Sequence, residues 1–207
     1  MSNKKERDIT TEQKILEVAT EVFQQKGYAG ARMQDIADKA QINRAMLHYY
    51  YRNKEKLFEG IFQNAFQKLI PSMNEVFDAD LPLFDKIRQV VNNYITLVFQ
   101  NRNLPLFVLH ELQQNPEKFV SNFFVHHTRP NPAKLIQQIQ EEIKAGNIRP
   151  IMPQHLVMNM MSLCIFPFVS QPVFQQVFQI GDAQYEQFLE SRKTEVAEFI
   201  IESIKVK

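Results

Sequence analysis

Residues 31–57, ARMQDIADKAQINRAMLHYYYRNKEKL, have the pattern of two short helices joined by a tight turn. In the first helix the apolar residues recur with helical spacing, at Met33, Ile36, Ala37 and Ala40. The turn that follows is predicted to bury Ile42 between the two helices. Asn43 is predicted to be the N-cap of the second helix, because its side-chain oxygen can accept a hydrogen bond from a free backbone N–H. The second helix is therefore expected to begin at Arg44.

The second helix is predicted to present a face to a DNA groove. Leu47 and Tyr51 occupy inward positions, and a short helix with a polar and aromatic outer face fits the major groove. Arg32 and Gln34, near the start of the first helix, are added to the predicted contacts. On the second helix the predicted DNA-binding residues are Arg44, Ala45, Met46, His48, Tyr49 and Tyr50.

Residues 52–56, RNKEK, carry three cations and an Asn cap where a long helix should begin. The N-terminus of a helix binds phosphate through its free backbone N–H groups. We therefore predict that Lys54, with the hydroxyls of Tyr49 and Tyr50, binds the DNA backbone and fixes the position of the second helix.

These residues resemble the DNA-binding domain of TetR (tetracycline repressor-like) family transcriptional regulators. The resemblance covers roughly residues 10–60 and includes an upstream helix with an apolar face that ends in Gly27-Tyr28. The matching positions are Ile15, Leu16, Ala19, Val22, Phe23, Ile36-Ala37, Ala40-Gln41-Ile42-Asn43, Ala45, Leu47-His48, Tyr50-Tyr51, Asn53-Lys54-Glu55 and Leu57.

The sequence departs from the family pattern at four positions. Gln41 replaces the glycine of the turn, so a non-glycine residue is expected in a left-handed conformation, at a cost of roughly 1 kcal/mol. Ala31 stands where the family often has a capping Thr. Ala45 replaces a glycine that lets the helix approach DNA, and His48 replaces the usual tyrosine. These changes put the base preference in doubt, and His48 is expected to make DNA binding sensitive to pH.

The predicted fold is all-α. The resemblance implies a three-helix helix-turn-helix DNA-binding domain at residues 1–53, with a flexible arm at 1–9, followed by an all-helical ligand-binding and dimerisation domain at residues 54–207. It also implies a homodimer that binds an inverted-repeat operator in double-stranded DNA. In this family the last two helices of each subunit form the dimer interface. The resemblance further implies that a small-molecule effector releases the DNA, through a tilt of the long helix that begins at Lys54.

Helical spacing of apolar residues continues through the second domain. The helix from Lys54 is expected to end at Pro71 or shortly after, and Gly146 is expected to end a helix that has Asn131 as N-cap and Pro132 as its first residue. Other helices are predicted at 83–101, 106–114 and about 154–168, with a final helix that contains Tyr185 to Ile204.

The segment 150–181 contains no Asp, Glu, Lys or Arg. Its most apolar part is too short for a membrane span, which needs about 20 apolar residues. A helix at 154–168 that is apolar nearly all round must be buried on several faces. We therefore expect it to lie between the protomer's own core and a second copy of the chain.

The 17 Phe and eight Met residues are consistent with a hydrophobic pocket for an apolar or aromatic ligand. Any one of the residues in question is more often part of the core than of a binding site. The candidate ligand-binding residues are Tyr94, Phe107, His110, Asn159, Cys164 and Phe166.

Charge and cysteine content favour a cytoplasmic DNA-binding protein. The net charge is +1, but residues 1–56 hold eleven Lys or Arg against eight Asp or Glu. The basic excess therefore accompanies the DNA motif, as attraction to phosphates requires. A single cysteine excludes an internal disulfide, and the polar N-terminus has no apolar signal core.

Motifs of common enzymes are absent from the sequence: it has no glycine-rich phosphate loop, His-Glu-x-x-His run or Cys-x-x-Cys pair. No cofactor is expected. His126 and His127, with His155 or Cys164, are a weak candidate for a metal site, and a solvated pair is the default interpretation. The favoured function is a dimeric regulator, most commonly a repressor in this family. The alternative is a helical small-molecule-binding protein, with or without catalytic activity, whose DNA-binding domain has lost specificity.

Overall fold

The structure, a computed structural model, describes residues 2–114, 116, 117, 119–121 and 129–206. Within these residues the protein is all-α, as predicted, apart from a single antiparallel bridge between Ile148 and Lys205. The chain divides into two compact units, Met1–Phe66 and Gln67–Lys207. The boundary differs from the expected one at residue 53, because the first half of the long helix packs into the first unit: the Phe58 ring lies 4.9 Å from that of Phe23.

The first unit consists of α1 (Ser2–Gly30), α2 (Met33–Ala40), α3 (Arg44–Tyr50) and the beginning of α4 (Lys54–Asp78). α1 has a break at Gly27, where φ is 69°. The helix begins at Ser2, within the segment for which the sequence predicts a flexible arm. Residues 2–12 contain neither Gly nor Pro, so nothing in their sequence interrupts a helix.

The core of the first unit lies between α1, α2, α3 and α4. The predicted apolar face of α1 is buried, and so are Leu47 of α3 and Tyr51, which follows it. The aromatic rings of Phe23, Tyr28 and Phe58 contact one another with centroid distances of 4.9 to 5.7 Å. Two ion pairs join α1 to α2, Lys26 with Asp35 at 2.8 Å and Glu21 with Lys39 at 2.9 Å.

The second unit contains the rest of α4 and six further helices among the described residues. These are α5 (Leu83–Gln100), α6 (Leu104–Gln114), α7 (Ala133–Lys144), α8 (Pro153–Val169), α9 (Gln171–Phe178) and α10 (Asp182–Ile204). α5 packs against both α8 and α10. Its predicted apolar face is buried at Ile87, Val91, Ile95 and Val98.

The expectation that α4 ends near Pro71 is wrong, since the helix continues to Asp78. Pro71 is exposed, and the residues beyond it continue the apolar face, with Met73, Val76 and Phe77 buried. Burial of that face outweighs the single backbone hydrogen bond that a proline removes. The end of α4 is held by the buried Lys86, whose ammonium donates to the carbonyl of Phe77 at 2.9 Å.

The boundaries of α7 differ slightly from those predicted. The helix begins at Ala133, one residue later than expected, and the Asn131 side chain accepts a hydrogen bond from the Ala133 N–H at 3.3 Å. The predicted end is confirmed: the last helical residue is Lys144, and Gly146 has a φ of 76°.

Among the described residues, no single helix has the length and apolar character of a membrane span. α8 and α9 reach that length and apolar character only when they are taken together, and the pair is bent by 70°. α8 buries Leu156, Met160 and Cys164, whereas Met158 and Phe166 are exposed. The expected burial of α8 on several faces is thus only partly met within one chain.

Candidate nucleic-acid interface

α3 is fixed at its start by the N-cap that the sequence predicts and at its end by a hydrogen bond of Tyr51 that the sequence does not indicate. The Asn43 Oδ1 atom accepts a hydrogen bond from the Met46 N–H at 2.7 Å, which confirms Asn43 as the N-cap. Leu47 is fully buried, and Tyr51 after the last turn is 8% exposed. The Tyr51 hydroxyl donates to Glu12 Oε1 on α1 at 3.0 Å. Burial and, second, the nearby Glu12 carboxylate raise the pKa of Tyr51.

The turn between α2 and α3 has the left-handed residue that the sequence predicts. Gln41 has φ 58° and ψ 42°, and its N–H donates to the Asp38 carbonyl at 3.1 Å. The Ile42 N–H donates to Ala37 at 3.0 Å, so both amides of the turn are satisfied. Ile42 is half-buried.

α2 begins without a side-chain cap from Ala31 or Arg32. Instead, the Arg32 N–H donates to Asp35 Oδ2 at 3.3 Å. The hydrogen bond from Lys26 to the same carboxyl lowers the pKa of Asp35. Asp35 thus accepts the hydrogen bond of the Arg32 N–H at the start of α2, and it also pairs with Lys26 on α1.

The predicted contact residues of α2 and α3 are mostly on the surface. Tyr49 is the most prominent, with 81% of its area exposed, and Met46 is 42% exposed. His48 and Tyr50 are half-buried. The remaining exposed members of the predicted set are Arg32, Gln34, Arg44 and Ala45.

Two members of this set have their orientation fixed by contacts within the protein. The Nδ1 atom of His48 lies 2.9 Å from the Arg52 carbonyl oxygen, so Nδ1 carries the proton and donates to it. The Nε2 atom is then the one that remains for DNA. The Gln34 amide donates to Asp38 Oδ1 at 2.7 Å, one turn along α2.

Lys54 is placed differently from what the sequence suggests. Its ammonium donates to the carbonyls of Tyr28 at 2.8 Å and of Ala31 at 3.3 Å, and it lies 4.6 Å from the centroid of the Tyr28 ring. An ammonium has three N–H donors, so one remains for a phosphate. Asn53 caps α4 as expected, with Oδ1 accepting from the Lys56 N–H at 2.8 Å.

Tyr94 and Cys164, two of the six candidate ligand-binding residues, line a cavity of about 20 Å³ in the second unit. Met73, Phe77 and Met160 are among the other residues around it. Burial raises the pKa of the Cys164 thiol to about 12 and also raises the pKa of Tyr94. The sequence does not indicate Met73 and Phe77 as lining residues, because Pro71 predicts an end of α4 before them.

The other four candidates lie away from this cavity. Phe107 and His110 are on α6, and Asn159 is an exposed residue of α8. Phe166 is 58% exposed and lines a separate, larger cleft between α8, α9 and α10. His126 and His127 lie outside the described residues, and no group of three or more metal-ligating His, Cys, Asp or Glu side chains occurs in the part of the chain that the structure describes.

The helix-turn-helix of α2 and α3 lies in a segment that matches a known protein family. Residues 15–61 match the family described as "Bacterial regulatory proteins, tetR family". Residues 15–61 are a TetR-family DNA-binding domain. The match ends in α4 and includes α2, α3 and the turn between them, so the candidate interface is the part of the chain that the family shares.

TetR-family relatives extend the similarity over most of the chain. "Biofilm operon icaADBC HTH-type negative transcriptional regulator IcaR" from Staphylococcus epidermidis is 26% identical over 181 residues, 84% of this chain and 91% of that protein. HTH-type transcriptional regulator YhgD from Bacillus subtilis is 24% identical over 161 residues, 73% of this chain and 78% of that protein. The chain is a DNA-binding transcriptional regulator.

A solved structure shows the same fold in both units. Transcriptional regulator FadR from Bacillus subtilis, in complex with stearoyl-CoA, has a TM-score of 0.59 and 18% identity. The match covers 91% of this chain and 97% of that one. At this identity the likeness concerns the fold alone.

Proposed function

We propose that this chain acts in the cytoplasm as a homodimeric repressor that binds an inverted-repeat operator through α3 and is released from it by a small apolar or aromatic effector. The observation that carries the proposal is the exposed outer face of α3, on a helix fixed by the buried Leu47 and capped by Asn43. A rigid helix with a free polar face is what reading base edges in a major groove requires. The relative IcaR is named as a negative regulator, which favours repression.

Contacts on DNA divide into two kinds in this proposal. Arg44, at the start of α3, is assigned to base edges, because a guanidinium pairs with two acceptors of guanine at once. Tyr49 and Tyr50 are assigned to the backbone, where their hydroxyls donate to phosphate. Their rings touch edge to face at 5.4 Å, which restrains both side chains.

A second copy of the chain is proposed to cover the apolar side chains that α8, α9 and α10 leave exposed. Two DNA-binding units held by one dimer match the two halves of an inverted repeat. The exposed apolar residues on these helices are Met158, Met161, Phe166, Val173, Val177, Phe178, Phe188 and Phe199.

The effector site requires a change of conformation if it lies at the cavity of Tyr94 and Cys164. That cavity has a volume of about 20 Å³, close to the size of one water, whereas ligand pockets span about 300–1,000 Å³. Met73, Met160 and Met161 line it, and such flexible side chains can move aside. Met73 belongs to α4, so opening the cavity would move the helix that begins at Lys54; such coupling is worth about 1–3 kcal/mol.

The proposal is tested first by DNA capture. The purified protein is incubated with fragmented genomic DNA from its source at near-physiological salt, and the retained fragments are sequenced. We expect a few fragments that share an inverted repeat and bind roughly 10³-fold more tightly than random DNA. Equal retention of all fragments, lost together as salt rises, would instead support the alternative of a DNA-binding domain without specificity.

Arg44→Ala then tests the role of α3 on the recovered operator. The variant should lose about 1–3 kcal/mol of operator affinity and discriminate less at one base pair. Arg149→Ala is the matched control, because it removes the same charge from an exposed position of the second unit. Operator affinities from fluorescence anisotropy that fall equally for both variants would contradict the assignment of Arg44 to base reading.

A further inference from the structure

The exposed apolar residues of α10 lie on a stripe of the helix that also carries two opposite charges. Four side chains of this stripe fall within about 60° around the helix axis, because they are spaced by four, three and four residues. In order they are Phe188, Arg192, Glu195 and Phe199. Glu195 is exposed, as the two aromatic rings are, and Arg192 is half-buried. The stripe therefore has a ring at each end and a cation and an anion between them.

Arg192 has no carboxylate partner in the described part of the chain. Its Nη2 atom donates at 2.9 Å to the Leu163 carbonyl, which lacks its usual helical donor because Pro167 has no N–H. Its Nε atom is buried without a hydrogen-bond partner, and no ion pair of Arg192 occurs among the residues described. Burial lowers the pKa of Arg192. A carboxylate that reaches Arg192 would therefore stabilise its charged form.

Glu195 is the complementary charge on the same helix. The other acidic side chains of α10 each accept a hydrogen bond from another side chain; they are Asp182, Glu186, Glu190, Glu198 and Glu202. Glu195 forms no hydrogen bond or ion pair with any residue that the structure describes. It acts on Arg192 electrostatically but does not pair with it, since the guanidinium is held by Leu163. The stripe thus leaves one charge of each sign unpaired.

The helices around Arg192 supply no anion. Ser162, Leu163 and Phe166 of α8 lie beside Arg192 in the cleft between α8, α9 and α10. Residues 150–181, which include α8 and α9, contain no Asp or Glu. A carboxylate that reaches Arg192 across the proposed interface therefore comes from α10 of the second copy.

Two-fold symmetry brings the two unpaired charges together. In an interface of this symmetry, a residue i that contacts residue j of the partner has its own j contacted by the partner's i. A two-fold axis through the middle of α10, between positions 193 and 194, makes the two α10 helices antiparallel. Arg192 and Glu195 lie equally far from this point, and so do Phe188 and Phe199. Each charge then faces its opposite, and each ring faces the other ring.

We propose that α10 crosses α10 of a second copy in this antiparallel register, with Arg192 paired to Glu195 of the partner subunit and Glu195 paired to the partner's Arg192. Phe188 faces the partner's Phe199 at either end of the contact. The inference rests on the proposed homodimer and adds its register and the charges that select the partner. Two such pairs favour a second copy of this chain over a related chain that lacks either charge, because unpaired or like charges at an interface are penalised.

Glu195→Arg tests this register without removing any hydrogen bond or ion pair of the single chain. In the variant, each Arg192 faces an arginine of the partner, so the dimer should dissociate at least about tenfold more readily. Glu190→Arg is the matched control: it makes the same change of charge two residues before Arg192, on the opposite side of the helix, and should change the dimer little. Dissociation is measured on full-length copies labelled at the N-terminus with a donor or an acceptor, by the loss of energy transfer on dilution.

A mixture of two variants shows whether the pairs form between copies rather than within one. Arg192→Glu alone faces the partner's Glu195, and Glu195→Arg alone faces the partner's Arg192, so each variant repels its own copy. A dimer with one copy of each variant has two pairs of opposite charge. The mixed dimer should therefore be at least about tenfold tighter than either variant alone. Circular dichroism checks that each variant keeps its helices.

Arg192→Gln covers the case in which Arg192→Glu does not fold, because glutamine keeps an N–H for the Leu163 carbonyl. Adding Glu195→Arg to Arg192→Gln should weaken the dimer less than Glu195→Arg weakens wild type, since the repelled cation is gone. Equal effects of Glu195→Arg in both backgrounds would overturn the pairing.

The remaining outcomes separate this inference from the homodimer on which it rests. A wild-type dimer that Glu195→Arg and Glu190→Arg weaken equally, or a mixture no tighter than its two components, would overturn the register and leave the homodimer in place. A wild-type protein that is monomeric at every concentration would contradict the homodimer itself, and the pairing with it.

Discussion

Lys54 is the first residue of α4, and its contacts within the protein stabilise the DNA-binding unit. Its ammonium joins α4 to the carbonyls of Tyr28, near the end of α1, and of Ala31, just before α2. These are the helices that support α3. A phosphate bound by the third N–H would therefore rest on a cation that the protein already holds in place.

Lys54→Met should destabilise the first unit, because it removes both hydrogen bonds and keeps the aliphatic part of the side chain. The expected loss in the free energy of unfolding is about 1.5–3 kcal/mol. It is measured by urea unfolding at fixed protein concentration, followed by circular dichroism. Lys56→Met is the control: Lys56 is exposed and pairs with Glu59 on the surface, so its loss should be within about 1 kcal/mol. Equal losses would show that the two carbonyl contacts contribute little.

Gly60 is a position of α4 where a side chain has no room. A Cβ atom there would lie 2.8 Å from Cε1 of Tyr51 and 3.2 Å from Cδ2 of Leu16. Tyr51 cannot easily move away, because its hydroxyl is bonded to Glu12. The absence of a Cβ thus lets α4 approach the residue that ends α3.

Gly60→Ala should therefore lower stability, although alanine is the better helix former by about 1 kcal/mol. Overpacking costs typically about 1–3 kcal/mol, so the expected net change is a loss of up to about 2 kcal/mol. Gly30→Ala is the control, since a Cβ there meets Lys26 Cβ at an ordinary 3.7 Å. Thermal unfolding compares the two; a Gly60→Ala protein as stable as Gly30→Ala would mean that Tyr51 and Leu16 move apart without cost.

At the scale of the element, α4 continues through Pro71 because the helix is stabilised mainly by its buried face. Met73, Val76 and Phe77 follow the proline and are all buried. A proline inside a helix costs about 3 kcal/mol, less than several buried side chains contribute at about 1.5–3 kcal/mol each. The sequence shows the proline and the apolar pattern, but only the packed structure shows which one prevails.

Pro71→Ala should stabilise the second unit by about 1–3 kcal/mol, because it restores an N–H to the helix and relieves the clash of the ring with the preceding turn. Pro172→Ala is the control. Pro172 is exposed in the first turn of α9, where the missing N–H has no helical partner, so we expect little change. Both are measured by urea unfolding. A gain no larger for Pro71→Ala than for Pro172→Ala would show that α4 is already relaxed around the proline.

The part of the site that the sequence predicts well is the part made by local contacts. Asn43 and Leu47 are within four residues of each other, and the cap, the start of α3 and the left-handed Gln41 all follow from that short stretch. The placement of Lys54 was missed because its partners lie 23 and 26 residues away. The cleft that Phe166 lines joins segments of α8, α9 and α10 up to 30 residues apart, so no local pattern indicates it.

At the scale of the whole molecule, the chain has more apolar surface on α8, α9 and α10 than one copy covers. The absence of charge from residues 150–181 is explained only in part by the core, since Met158, Val173 and Phe178 are each more than 60% exposed. Large exposed apolar surfaces mark sites of association. Phe199 on α10 is likewise exposed, at 65%, so the second helix of the proposed interface contributes to the same surface.

Phe199→Asp should dissociate the proposed dimer, because a charge replaces an aromatic side chain that the partner would bury. Loss of such a residue costs about 2 kcal/mol or more, or roughly a 30-fold weaker dimer. Analytical ultracentrifugation measures the dimer, and circular dichroism checks that the helices remain. Thr194→Asp is the control, since Thr194 is an exposed polar residue of the same helix. Operator affinity should fall with the dimer, because a single copy reads one half of the repeat. A Phe199→Asp protein that remains dimeric would place the interface away from Phe199.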